Sequence, residues 1–307
     1  MGHCAPAVLH TLLAERGRSD LEMVRSAGGL AGGLGGPGEC GGVCSPLLML
    51  GLLHGGDRTS SGLPRVVLLG REHLRRFGQL HGSTLCTEVG ARGIPACLRA
   101  MCTAPALLRD VCSLEDELQA ALPAEALAAH LSVLSAFEAR GFHCAHRVFA
   151  ELDGALQVTE DLRRASWPFL GGMILSGGTC GALAAGIMAV SAKLGGVERS
   201  MLRTLRMVAF LIFAEERAMN DRVNDFNHVI HLARNLAVWF RERHGATCCA
   251  DLTGTDFASY EGAARFRAVG LERCEAVAHS VAERVREVLE EESNLGSCAG
   301  SSPWRRP

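Results

Sequence analysis

Residues 171–194 read GGMILSGGTCGALAAGIMAVSAKL, a glycine-rich turn that leads into an apolar run. Glycines allow left-handed backbone, so the first eight residues predict a turn, and the apolar run predicts a buried helix from about 180 to 194. Few stretches elsewhere alternate polar and apolar residues, so strands are not expected. The stretch predicts an all-α fold around an apolar helix that begins beside Cys180.

This segment has a counterpart 140 positions upstream. His3-Cys4-Ala5 aligns with His143-Cys144-Ala145, and residues 37–41 (PGECG) align with residues 177–181 (GGTCG). Cys40 follows Cys4 by 36 positions, as Cys180 follows Cys144. The register is expected to hold without a gap between these points, which places Leu30 on Leu170. The chain is therefore interpreted as a tandem duplication.

Two further blocks extend the repeat. Residues 77–89 (FGQLHGSTLCTEV) match residues 240–252 (FRERHGATCCADL) at an offset of 163, and Cys97 is placed on Cys274. Each copy then carries four cysteines at matching positions: Cys4, Cys40, Cys86 and Cys97 in copy one, and Cys144, Cys180, Cys249 and Cys274 in copy two.

The fold expected from these patterns is two tandem copies of a small helical-bundle unit. Copy one is assigned to residues 1–112, a helical linker to 113–140, copy two to 141–294 and a disordered tail to 295–307. The helices expected around copy two cover residues 124–140, 143–165, 180–194, 198–243 and 261–292.

The composition and charge of the chain argue against some classes of function and favour others. The net charge is −2 and aromatic residues make up 5% of the chain, so a nucleic-acid surface is not expected. Residues 165–192 carry no charge, but their glycines and Pro168 favour a buried loop and core helix over a membrane span. The first 17 residues do not resemble a secretory signal, which favours a reducing cytoplasm. There, 13 cysteines indicate metal or redox chemistry rather than structural disulfides.

Four thiolates are suitable ligands for an iron–sulfur cluster or a closed zinc site. Neither quartet contains a CxxC pair, so the fold has to bring the cysteines together. Two histidine pairs, His3 with His143 and His81 with His244, recur beside cysteines and could bind metal or sulfur, although a histidine before glycine also ends a helix. The other cysteines are expected to be structural: Cys44, Cys102, Cys112, Cys248 and Cys298.

The pattern of copy two resembles the redox-active C-GCAxxG-C-C family. The resemblance is carried by His143-Cys144-Ala145, by Gly178-Thr179-Cys180-Gly181-Ala182 and by the downstream Cys249 and Cys274. It implies a redox protein, suspected to hold an iron–sulfur centre, with Cys144, Cys180, Cys249 and Cys274 as its functional quartet. Copy two departs from the motif at Ala185, and copy one departs further, reading CGGVCS over residues 40–45.

The leading hypothesis is a cytoplasmic electron carrier, rather than a substrate-transforming enzyme, that holds a cysteine-ligated iron–sulfur centre and meets a redox partner protein. Thiol–disulfide chemistry by cysteine pairs is one alternative, and a structural zinc-binding interaction module is another. The expected ligands are Cys144, Cys180, Cys249 and Cys274, with Cys4, Cys40, Cys86 and Cys97 as the second set. Assembly into a homo-oligomer is left open.

Overall fold

The computed structural model describes residues 3–55, 62–121, 137–196, 228–257 and 260–298, together with residues 131, 134 and 135. The regular structure of these residues is helical, and the β-bridges among them are two isolated pairs, Glu39 with Leu85 and Thr179 with Cys248. The all-α prediction is confirmed.

Copy one begins with two helices and a 3₁₀ turn at Gly28–Leu30, followed by a short turn of helix at Ala31–Leu34. The helices of copy one are α1 (Cys4–Glu15), α2 (Leu21–Ser26), α3 (Gly41–His54), α4 (Gly62–His81), α5 (Cys86–Gly90) and α6 (Ile94–Ser113). Helix α7 (Glu115–Ala121) follows copy one.

Copy two repeats this order, with a 3₁₀ turn at Trp167–Phe169. Its helices are α8 (Cys144–Leu152), α9 (Glu160–Ala165), α10 (Gly181–Leu194), α11 (His228–His244), α12 (Cys249–Thr253) and α13 (Tyr260–Cys298).

The central helix of each copy is apolar on every side. Helix α3 is buried from Gly41 to Leu52, and α10 is buried from Gly181 to Ala192. A helix with no polar face is stable in water only when other helices surround it, so α3 and α10 form the centres of the two cores. No helix among the described residues is long and apolar enough to cross a membrane.

The gapless register expected between the copies is wrong over one stretch. The residue that caps α2 is Asp20 and the one that caps α9 is Thr159, an offset of 139, which places Leu30 on Phe169. Copy one has one more position between its first cysteine and the residue that caps its second helix, 16 from Cys4 to Asp20 against 15 from Cys144 to Thr159, and copy two has one more in its glycine turn. The two changes cancel, so the offset returns to 140 at α3 and α10.

Other expected boundaries differ in part. The helix expected at 143–165 is interrupted between Leu152 and Glu160, because the chain turns at 153–155 and Thr159 caps a new helix by accepting from the Leu162 N–H. The helices at 180–194 and 261–292 are confirmed within one or a few residues. Most of 198–227 and of 124–136 lies outside the described residues. Helix α13 continues through 295–298, where a disordered tail was expected, and residues 299–307 are not described.

The two copies pack against each other with approximate twofold symmetry. Helix α3 contacts α9 and the 3₁₀ turn of copy two, while α10 makes the equivalent contacts with α2 and the 3₁₀ turn of copy one. Each copy therefore completes the burial of the other's central helix.

Candidate cysteine sites

Four separate elements of copy two bring their cysteines to one cavity. Cys144 is the first residue of α8, Cys180 precedes α10, Cys249 begins α12 and Cys274 lies within α13. All four line a cavity whose other walls include Phe137, Leu252, Phe266 and Val277. Residues up to 130 positions apart in sequence thus share one largely apolar pocket.

A pair of backbone hydrogen bonds holds the second and third cysteines together. The Cys180 N–H donates to the Thr247 carbonyl at 2.8 Å, and the Cys249 N–H donates to the Gly178 carbonyl at 2.7 Å. These bonds flank the isolated bridge between Thr179 and Cys248. The bridge explains how cysteines on two short, distant segments come to lie side by side.

Glycines leave room for the sulfurs. A Cβ atom at Gly181 would lie 2.5 Å from Cys144 Sγ, and one at Gly172 would lie 2.6 Å from Cys249 Cβ. Gly172 also has a φ of +73°, which L side chains rarely adopt. The glycine turn therefore serves to place backbone, rather than side chains, against two of the cysteines.

Copy one reproduces this arrangement although its sequence departs from the motif. The Cys40 N–H donates to the Thr84 carbonyl at 2.8 Å, and the Cys86 N–H donates to the Gly38 carbonyl at 2.9 Å. A Cβ atom at Gly41 would lie 2.6 Å from Cys4 Sγ. The departures over residues 40–45 have therefore left these backbone contacts in place.

Two equivalent hydrogen bonds support the pairing of Cys97 with Cys274. His81 Nε2 meets Thr103 Oγ1 at 2.9 Å, and His244 Nε2 meets Ser280 Oγ at 3.0 Å. The two histidines are 163 positions apart, whereas Thr103 and Ser280 are 177 apart, which is also the offset between Cys97 and Cys274. Helices α6 and α13 therefore match in the register that pairs these cysteines.

Burial and mutual repulsion keep the thiols protonated at neutral pH. Burial raises the pKa of Cys40, Cys86 and Cys274 to about 12. Besides burial, charges on Cys4, Cys40 and Cys97 contribute to the raised pKa of Cys86, and charges on Cys180, Cys274 and Cys144 contribute to that of Cys249. Such repulsion requires that the thiols of each quartet lie close together.

Backbone groups near some sulfurs oppose this effect. Hydrogen bonds from the backbone at Gly32 and Ala5 lower the pKa of Cys4, although burial dominates and the net shift is upward. Backbone bonds from Leu183 and Ala182 act in the same way at Cys180. Cys4 and Cys144 also begin helices, and Cys40 and Cys180 immediately precede them, where the helix dipole favours a negative sulfur.

The quartets differ in exposure. Cys144, Cys180 and Cys249 are buried and Cys274 is half-buried, whereas in copy one only Cys40 of the quartet is buried. The cysteines with described side chains are free thiols. Within the described ranges, no group of three or more His, Cys, Asp or Glu side chains is set as ligands for a metal ion.

His81, His143 and His244, which recur beside cysteines, have structural hydrogen-bond partners. His143 Nδ1 accepts from the His146 N–H, and its Nε2 lies 3.1 Å from the Trp167 carbonyl oxygen. His81 and His244 end α4 and α11, and the glycine after each has a positive φ, as expected for a helix stop. Both also pack on a phenylalanine of the preceding turn.

Sequence reasoning did not identify two features near the quartets. Cys44 and Cys248, expected to be structural, lie close to quartet members. A charge on Cys40 would raise the pKa of Cys44, and a charge on Cys248 would raise the pKa of Cys180. Glu39, directly before Cys40, is buried and reaches Thr179 in the other copy. The available signal was a charged residue in an otherwise apolar segment, at the position where copy two has threonine.

Comparison with known proteins agrees with the geometry. The family model described as "Putative redox-active protein (C_GCAxxG_C_C)" matches residues 2–111 and 142–288, one segment in each copy. No curated protein and no solved structure matches the chain. The two matched segments cover most of the sequence, so the chain belongs to the C-GCAxxG-C-C redox-active family and contains two tandem copies of its unit.

Proposed function

We propose that each copy binds an iron–sulfur cluster through its four cysteines and that the protein transfers electrons. The observation that carries this proposal is the convergence of Cys144, Cys180, Cys249 and Cys274 on one apolar cavity. Convergence of four thiols from four elements has no evident packing reason, since any small apolar residue would fill the same space. Copy one has the same local arrangement, which supports two centres in each chain.

The chemistry of the four donors fits such a group, although the side chains are not set around a single metal ion. Thiolates are the usual ligands of iron–sulfur clusters, and nearby backbone N–H groups and low polarity tune the potential of a cluster. When bound, the cluster would supply one-electron oxidation and reduction. The chain itself would supply the thiolates, exclude water with Phe137, Leu252 and Val277, and present backbone hydrogen bonds to the sulfurs.

Electron transfer requires a donor and an acceptor, and we propose a redox partner protein for this role. Cys86 and Cys97 of copy one and Cys274 of copy two are partly exposed, so each centre would have one side near the surface. Thiols with raised pKa values would stay reduced and available in a reducing compartment such as the cytoplasm.

The second candidate is thiol–disulfide chemistry, which the free thiols within each site favour. Two thiols of one quartet would join in a disulfide, and the two protons and two electrons that they release would reduce the disulfide of a partner protein to a dithiol. Both candidates use the same cysteines, and they differ in whether iron and acid-labile sulfide accompany the protein.

Anaerobic purification with iron, sulfide and thiol analysis tests the proposal. We expect a coloured protein with two centres per chain, and we expect Cys180→Ser and Cys40→Ser each to remove about half of the visible absorbance and iron, because serine is a poor ligand for this metal. Cys102→Ser is the control, since Cys102 is exposed on α6 and belongs to neither quartet. A colourless protein whose thiols oxidise reversibly in pairs would replace the cluster proposal by the disulfide one.

A further inference from the structure

The carboxylate of Glu39 crosses from copy one to copy two. Glu39 and Thr179 occupy equivalent positions, each directly before the second cysteine of its quartet. The Thr179 N–H donates to Glu39 Oε1 at 3.0 Å, and Thr179 Oγ1 donates to Glu39 Oε2 at 2.6 Å. Two equivalent residues that touch each other lie on the approximate twofold axis, so this contact joins the copies at their shared centre.

The Glu39 carboxylate is buried, so it has lost its hydrating water. Glu39 is 2% exposed, and the ion pairs within the described residues include none to Glu39. A buried carboxylate without a cation is unfavourable unless hydrogen bonds compensate for the water that it loses. Within the part of the chain that the structure describes, both oxygens accept hydrogen bonds from Thr179, so the carboxylate depends on copy two.

The backbone leaves space for this carboxylate. A Cβ atom at Gly178 would lie 2.0 Å from Glu39 Oε1, so only glycine at this position admits the side chain. Gly38 is the equivalent glycine of copy one, and a Cβ atom there would lie 2.8 Å from Thr179 Oγ1. Both sides of the axis therefore have room for a side chain from the other copy.

The contact connects the two segments that carry cysteines of both sites. Glu39 pairs with Leu85 next to Cys86, and Thr179 pairs with Cys248 next to Cys249. We propose that Glu39 is a positioning residue for both sites: it fixes the Thr179–Cys180 segment of copy two while its own backbone belongs to the site of copy one. Copy two cannot supply this anchor itself, because its equivalent residue is Thr179.

Duplication within one chain explains why the two positions differ. Glutamate in both copies would bury two like charges against each other, whereas threonine in both would leave the N–H of residue 179 without its carboxylate acceptor. One glutamate and one threonine avoid both problems, because the single carboxylate accepts hydrogen bonds from the threonine N–H and hydroxyl. The positioning role of Glu39 rests on the proposed function only in experiments that measure a bound cluster. The reactivity of the thiols reports the position of their segments whether or not a cluster binds.

Alkylation of the full-length, reduced protein, followed by mass spectrometry of each cysteine, tests this role. Glu39→Gln keeps the size of the side chain but removes its charge, so that weaker neutral hydrogen bonds replace the two charge-assisted bonds from Thr179. We expect alkylation of Cys180 and Cys249 in copy two, as well as of Cys40, to accelerate roughly tenfold. Glu72→Gln is the matched control, a largely buried glutamate of copy one that contacts Arg75 and Arg76 and should leave these rates unchanged.

Exchange of the two residues provides the rescue. The double variant Glu39→Thr with Thr179→Glu should restore the slow rates, because Gly38 leaves space for the new carboxylate as Gly178 does for Glu39. Acceleration confined to Cys40, or a folded double variant that stays fast, would overturn the proposal. If Glu39→Gln does not fold, the double variant decides alone: wild-type rates support the role, and failure to fold overturns it.

A spectroscopic measurement separates this role from the proposed function. With Cys40→Ser removing the centre of copy one, Glu39→Gln should still shift the reduction potential and the electron paramagnetic resonance spectrum of copy two, whereas Glu72→Gln should not. An iron-free protein that nonetheless shows the alkylation pattern would retain Glu39 as a positioning residue and reject the cluster.

Discussion

His73 is a histidine in a position where copy two has leucine. It is fully buried on α4, its Nε2 lies 3.3 Å from the Gly42 carbonyl oxygen, and its Nδ1 has no hydrogen-bond partner. Leu236, at the offset of 163, is buried at the equivalent position of α11. Burial lowers the pKa of His73 to about 4, so the ring is neutral in the folded protein.

We predict that His73→Leu makes the protein less sensitive to acid. The unfolded chain binds a proton near pH 6.5, while folded His73 binds one only near 4, so this residue removes stability as pH falls between these values. The loss amounts to about 3 kcal/mol at low pH. Unfolding by urea at pH 7 and at pH 4.5 should show a smaller difference for His73→Leu than for the wild type.

The reciprocal variant is the control. Leu236→His places a histidine in the same position of copy two and should add a comparable loss of stability on acidification. An unchanged pH dependence in His73→Leu would show that other groups dominate acid unfolding.

The repeat makes single residues of this kind interpretable from sequence. The cysteine quartets could be predicted because cysteine is rare and its neighbours recur with it, as in His143-Cys144-Ala145 and Cys4. The role of Glu39 could not, because it depends on which segment of the fold lies opposite. A sequence shows that Glu39 interrupts an apolar run, but only the packing of the copies shows that Thr179 receives it.

The glycine turn and the helix after it form the element on which each site depends. In copy two the turn holds Met173, Ile174 and Leu175 at φ values of +57°, +54° and +55°. Left-handed conformations are unfavourable for such side chains, and Ile174 is β-branched, so burial in the core has to maintain them. The sequence predicts a turn here from its glycines, but it does not predict three apolar residues in this conformation.

We predict that Gly181→Ala disrupts the site of copy two. Its Cβ atom would lie 2.3 Å from the Phe169 carbonyl oxygen and 2.5 Å from Cys144 Sγ, and the backbone oxygen cannot move as a flexible side chain could. Cys144 should be displaced, with faster alkylation and loss of about half of the bound iron, and stability should fall by about 1–3 kcal/mol. Alkylation rates, iron content and thermal unfolding measure these effects.

Gly154→Ala is the matched control, since its Cβ atom would have no neighbour within 4 Å. It should leave Cys144 and the iron content as they are in the wild type. Normal alkylation of Cys144 in a folded Gly181→Ala protein would contradict the view that close approach of the backbone sets this thiol in place.

The copies also differ where each central helix meets the other copy. Ser191 on α10 accepts the Gly29 N–H at 2.9 Å and donates to the Ile187 carbonyl at 2.7 Å. Its equivalent on α3 is Gly51, which packs against Pro168, a residue with no N–H to satisfy. The same helices therefore meet on both sides of the interface, but the hydrogen bonds between them differ. The sequence of one copy alone does not predict these hydrogen bonds.

This exchange of contacts predicts that the two copies unfold together. Ser191→Ala removes the acceptor of a buried N–H that belongs to copy one, at a cost of about 1–3 kcal/mol. Because α3 and α10 each complete the core of the other copy, the cost should lower one common transition rather than that of a single copy. Calorimetry should show one peak whose midpoint shifts down by several degrees, and tryptophan fluorescence should follow the same curve.

Ser26→Ala is the control. It removes a buried hydroxyl that bonds only within its own copy and leaves no N–H without an acceptor, so the downward shift of the midpoint should be smaller. Two separate peaks, of which Ser191→Ala moves only one, would mean that the copies are independent domains and that contact across their axis does not stabilise the sites.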